Sequence, residues 1–147
     1  MQSMNTEHSV RRAITCFALI ALTACQGGAE PGQAPKFNGI DPSEIISFAG
    51  TEPFWGGRLE GGTLTYTTPE NIDGTAIAIE RFAGNHGLGL SGKLGEEAFD
   101  MTVTPGECSD GMSDRVYPLT VTLSIDGDVR EGCGWTDRQP FSGPQNP

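Results

Sequence analysis

Four runs of this chain alternate apolar with polar or small side chains at a period of two. They are TLTYT at 63–67, TAIAIERF at 75–82, FDMTVT at 99–104 and LTVTLSI at 119–125. Successive side chains of a strand point to opposite faces, so each run fits a sheet with one buried face. Threonine and β-branched residues fill the runs, which suits a pleated, half-buried surface. Shorter candidates lie at 45–48, 55–59, 87–90 and 129–135. Turn signals separate them: Glu60-Gly61-Gly62, Asn71-Ile72-Asp73-Gly74 and Asp126-Gly127-Asp128. The last predicts a hairpin, LTVTLSI–DGD–VREGCGW. No segment of ten or more residues carries a helical apolar period. The expected fold is all-β: a small antiparallel barrel or sandwich of about eight short strands.

Ahead of these runs stands MQSMNTEHSVRRAITCFALIALTAC. Arg11 and Arg12 precede the uncharged stretch 13–24. That stretch is shorter than the roughly 20 apolar residues a spanning helix needs. It fits the apolar region of an export signal. Leu22-Thr23-Ala24-Cys25 resembles the lipobox of bacterial lipoproteins. The resemblance implies a signal peptide over 1–24, cleavage after Ala24 and a diacylglycerol on the Cys25 thiol, so the expected partner is a membrane, reached through a lipid. Gln26 follows Cys25, where an Asp would retain an enteric lipoprotein in the inner membrane. The expected location is therefore the outer membrane, facing the periplasm. Residues 25–36 are rich in Gly, Pro and Gln and read as a disordered tether. The β-domain is expected over 37–138, and 139–147, QPFSGPQNP, as a disordered tail.

Processing would remove two arginines and one glutamate, leaving seven basic and eighteen acidic residues and a net charge near −11. Such a surface argues against nucleic acid and against direct adhesion to anionic lipid. Cys16 falls in the signal and Cys25 takes the lipid. Cys108 and Cys133 remain, in an oxidising compartment, and are expected to form a disulfide. His86 is the sole histidine after processing and there is no CxxC, so no metal is expected.

Several motifs fail on context. GLGLSG at 87–92 matches GxGxxG, and 87–94 approaches the P-loop pattern, but Leu94 stands where a hydroxyl residue is needed. Both motifs bind phosphate where a strand gives way to a helix N-terminus. Here the chain runs into another strand, so neither a nucleotide nor another cofactor is expected. GLSGK is not the GxSxG of a hydrolase, and His86 lacks a free cysteine to activate. No catalytic residues are assigned, and the chain is not expected to be an enzyme.

Two segments concentrate unusual residues. GTEPFW at 50–55 places Glu52 and Trp55 around a proline turn. CSDGMSDRVYP at 108–118 gathers Asp110, Ser113, Asp114, Arg115 and Tyr117 beside Cys108. As architecture, Asp and Ser side chains would hold backbone N–H groups, Gly111 would supply a positive φ, and Arg115 would pair with a carboxylate, Glu52, Asp110 or Asp114. As a binding surface, Trp55, Arg115 and Tyr117 would touch a ligand. With the later Gly132-Cys133, these segments resemble an uncharacterised family of small envelope lipoproteins of Gram-negative bacteria. That family is similar in layout to META-type lipoproteins, and its members sometimes adjoin domains related to the membrane-bound inhibitor of C-type lysozyme. The resemblance covers nearly the whole domain. It implies a β-rich periplasmic domain with its two cysteines joined and no established activity.

The leading expectation is a non-enzymatic envelope role, through a periplasmic protein partner or support of envelope integrity. A second is inhibition of a cationic C-type lysozyme, resting on the acidic charge, the small disulfide-bonded β-domain and a likeness of Ser91-Gly92-Lys93 to the Ser-Gly loop of that inhibitor. A third is a lipocalin-like carrier with a ligand in its interior.

Overall fold

The alternating runs become strands, and the turn residues decide how they join. The computed structural model describes residues 36–144. Among these residues nine strands follow one another: β1 (Ile46–Thr51), β2 (Phe54–Glu60), β3 (Thr63–Thr68), β4 (Asn71–Ala78), β5 (Glu80–Ala83), β6 (Leu88–Leu94), β7 (Glu97–Cys108), β8 (Tyr117–Ile125) and β9 (Asp128–Thr136). Their order in the sheet is β4-β3-β2-β1-β9-β8-β7-β6-β5, with every pair antiparallel.

Neighbours in sequence are neighbours in space, and β9 returns to β1 with Ile46 opposite Thr136. The two ends of the sheet, β4 and β5, are separated in sequence by Ile79 alone. One strand, bent at Ile79, therefore joins the two edges. The result is an up-and-down, nearly closed barrel rather than a sandwich, and the bend turns eight strands into nine. Gly92 of β6 packs against the Ala78 carbonyl across this seam.

The expected DGD hairpin forms, with Ile125 opposite Asp128. Asp126 and Gly127 have φ of 47° and 87°, which matches the twist of the flanking strands. Asn71-Ile72-Asp73-Gly74, in contrast, is not a turn. It opens β4, and the connection is Pro69-Glu70. Gly74, at φ 81°, absorbs the register shift opposite Tyr66 and Thr68.

Inward positions fill the barrel with side chains. Phe48, Leu64, Ile77, Leu90, Phe99 and Leu123 are among the fully buried residues. Phe48, Trp55, Tyr66 and Phe99 form a continuous aromatic row, with ring centroids 5.8, 6.4 and 5.8 Å apart. Arg130 takes an inward position near the β8–β9 turn. Its guanidinium donates to Asp128 at 2.8 Å and to the Tyr66 hydroxyl at 2.8 Å. Burial pushes the Tyr66 phenol up, with Arg130 opposing it.

Ahead of β1, Asp41 and Glu44 form a capped turn. The Glu44 carboxylate accepts from the Asp41 backbone N–H and from the Thr136 hydroxyl, which ties the segment to the end of β9. Phe37 packs on the core, and its N–H donates to Gly84.

The tail departs from expectation. Residues 139–144 do not run free but return to the barrel. Val116 and Ser142 exchange both backbone hydrogen bonds, at 3.0 and 2.9 Å, and Phe141 lies against Tyr117 and Trp135. A Pro-rich segment cannot build a core, but one aromatic ring with a backbone bridge holds it in place. The expected signal at 1–24, the lipidated Cys25 and the tether up to residue 35 lie outside the described residues.

Candidate functional site

Hairpin β1–β2 delivers the first unusual segment. Glu52 and Pro53 form its two-residue turn, joined by a cis peptide, with Thr51 opposite Phe54. The register places Gly50 opposite Trp55, and the indole swings inward across it. A Cβ on Gly50 would stand 2.1 Å from the indole Nε1, and one on Gly132 would stand 3.0 Å from the indole Cζ2. The two glycines clear the space that the ring needs. Trp55 is therefore a core residue, 4% exposed, and its buried indole N–H has no hydrogen-bond partner among the described residues.

The second segment leaves the end of β7 at Cys108. Cys108 and Cys133 are joined, with Cα atoms 5.5 Å apart. Beyond the disulfide, Asp110 organises the chain around its carboxylate. It accepts from the Met112 and Ser113 N–H groups at 2.9 and 2.8 Å, from the Ser113 hydroxyl at 2.8 Å and from the Tyr117 hydroxyl at 3.1 Å. These donors hold its pKa at about 2, the Met112 N–H contributing most. Gly111 supplies the positive φ, 69°. This much of the architectural expectation is met.

Arg115 is placed otherwise than expected. Among the described residues its guanidinium lies over the Phe141 ring, 4.7 Å from the centroid, and its Nε donates to the Pro144 carbonyl at 3.4 Å. Glu52, Asp110 and Asp114 are not its partners among those residues, and the tail contributes contacts to it. Tyr117 is 4% exposed and stands in a separate aromatic group with Trp135 and Phe141. The expected surface of Trp55, Arg115 and Tyr117 is thus dispersed between a core and a tail contact. Asp114 is exposed, and its carbonyl faces Gly143.

The two segments do converge, around other residues. Thr51 Oγ1 donates to the Asp110 carbonyl at 3.4 Å. Between them lies a groove of about 590 Å³. Thr120 and Thr122 of β8 and Glu131 and Cys133 of β9 line it, with Glu52 on one side and Ser109 and Asp110 on the other. The register pairs Thr122 with Glu131 and Thr120 with Cys133, so these side chains share the face opposite to the core. Hydroxyls and carboxylates dominate the lining. Arg130 also borders the groove, but its guanidinium is spent on Asp128 and Tyr66. The Asp110 carboxylate is likewise turned into its own loop. Glu52 and Glu131, both exposed, carry the groove's charge.

Sequence reasoning found Glu52 and Asp110 but missed Glu131 and Thr122. The alternation of Val129, Glu131 and Cys133 carried the signal, since Cys133 marks the face they share. Phe141 had no local signal.

Ser91-Gly92-Lys93 lies within β6, paired with 98–100 of β7, and Ser91 donates to Asp100 at 2.8 Å. It is ladder rather than projecting loop. Among the described residues no three His, Cys, Asp or Glu side chains gather as a metal site. No family model matches the chain, and neither a curated protein nor a solved structure does.

Proposed function

We propose that this protein is a lipid-anchored envelope protein whose β-domain binds a protein partner through the groove between the β1–β2 turn and the disulfide-tethered segment. The carrying observation is the groove of about 590 Å³ on the outer face of β8 and β9. Its glutamates and threonines offer charge and hydrogen bonds without a nucleophile–base pair, which favours recognition over catalysis. Large side chains fill the barrel interior, which favours a partner on the surface over a small ligand inside. The strongly acidic chain and the position of Glu52 and Glu131 favour a partner with a basic, hydrogen-bonding surface. Cys25 would supply the anchor and the periplasm the setting.

The experiment is site-specific photocrosslinking in living cells. A photoreactive residue replacing Thr122, in the groove, is expected to capture a discrete protein. One replacing Ile72 on β4 is expected not to, and Glu131→Arg together with Glu52→Arg should abolish the adduct. The same adducts from both positions, or none from 122, would overturn the reading.

A further inference from the structure

The tail contact has the parts of a peptide-recognition site. Val116 lies just ahead of β8 and presents both its N–H and its C=O to Ser142. One residue earlier, the Phe141 ring meets Tyr117 at 5.3 Å and Trp135 at 5.6 Å, while those two rings stand 5.4 Å from each other. Arg115 covers the ring with its guanidinium, adding a cation–π contact. One residue later, Gly143 adopts φ 97°, and a Cβ there would stand 2.4 Å from the Asp114 carbonyl oxygen. Position 141 thus calls for an aromatic ring, 142 for backbone alone, and 143 for glycine. This is the logic of strand addition: main-chain bonds give affinity and side-chain pockets give specificity.

We propose that Tyr117, Trp135 and the Val116 backbone form a binding site for extended peptides of the pattern aromatic–X–Gly, which the chain's own tail fills in cis. Two features separate this site from the core. Tyr117, Trp135 and Phe141 lie outside the main apolar cluster of the barrel. The Val116–Ser142 bridge is isolated rather than part of a longer ladder. A cleft of about 290 Å³ also opens beside the tail, between Gly106 and Glu107 of β7 and Pro140 and Ser142. It leaves room for a peptide that is longer or bulkier than the tail. A partner carrying this pattern would exchange with the tail, so the tail acts as a built-in competitor. The site does not depend on the groove reading.

The probe is a fluorescent peptide, QPFSGP, copying residues 139–144. The full chain with Phe141→Ala empties the ring socket, and Gly143→Val displaces the tail by a different route. Both folded variants are expected to bind the peptide at least tenfold more tightly than wild type. A peptide with alanine in place of its phenylalanine should bind none of them. Equal binding by wild type and variants, or no binding to a folded variant, would overturn the proposal. So would unfolding of the barrel in both variants, which would make the tail part of the core.

Discussion

At position 50 the important atom is one the residue lacks. The Trp55 indole occupies the place of a Gly50 side chain, with Nε1 2.1 Å from where a Cβ would stand. Gly50→Ala must move the ring or the strand, and overpacking of this kind costs about 1–3 kcal/mol. Urea denaturation should show that loss, and near-ultraviolet circular dichroism should show a changed indole environment. Asp110 works the other way, through the groups it gathers. Its folded pKa of about 2 lies below the ordinary 3.8. A lowered carboxylate pKa contributes stability that is complete above the ordinary value and is lost as pH falls through the folded one. The stability advantage of wild type over Asp110→Asn should therefore be constant near pH 5–7 and shrink between about pH 4 and pH 2. A difference independent of pH would show that the carboxylate charge plays no part.

Between β7 and β8 the chain carries no ladder over 109–115 and is restrained by a disulfide at Cys108. Cys108–Cys133 closes a loop with a sequence separation of 25. In the chain-entropy account, such a closure contributes about 3.5 kcal/mol. Reduction should lower the melting temperature accordingly. Hydrogen exchange should quicken first in 109–115, where side chains rather than a ladder hold the backbone, and later in β8, which is paired on both sides. Uniform acceleration would mean that the disulfide braces the whole barrel rather than this segment. At the bend between β4 and β5 the run TAIAIERF reads as one strand because its alternation never breaks. The structure divides it because its two halves pair with different neighbours, β3 and β6.

For the whole molecule, barrel closure brings the early strand β1 beside the final strand β9, so the groove combines residues from both ends of the domain. The proposed anchor acts at the same scale. Acyl chains on Cys25 would hold the domain at a membrane surface, and two or more chains suffice for stable attachment. Cys25→Ala is expected to move the protein from the membrane fraction to the soluble fraction without changing the melting temperature of the domain. A wild-type chain recovered soluble and unacylated would remove the anchor from the proposal.

What the sequence determined by itself was local. Period-two alternation set which side chains of β3, β7 and β8 face inward, and Asp126-Gly127 set the last hairpin, because a strand's faces and a two-residue turn depend on adjacent residues alone. The absence of a helical period sufficed for the all-β class. The choice of barrel over sandwich was beyond that reach. It depends on β9 meeting β1 and on a bend at Ile79, contacts between segments far apart in the chain or between strands with no local mark. The same limit governed the site. The sequence singled out GTEPFW and CSDGMSDRVYP as unusual, and Glu52 and Asp110 line one groove. It could not tell that Trp55 would turn inward, because that depends on Gly50 and Gly132 leaving room from two different strands. Nor could it place Arg115 against Phe141. A lone aromatic in a Pro-rich tail has no period, and only the folded surface of Tyr117 and Trp135 gives that ring a place to be buried.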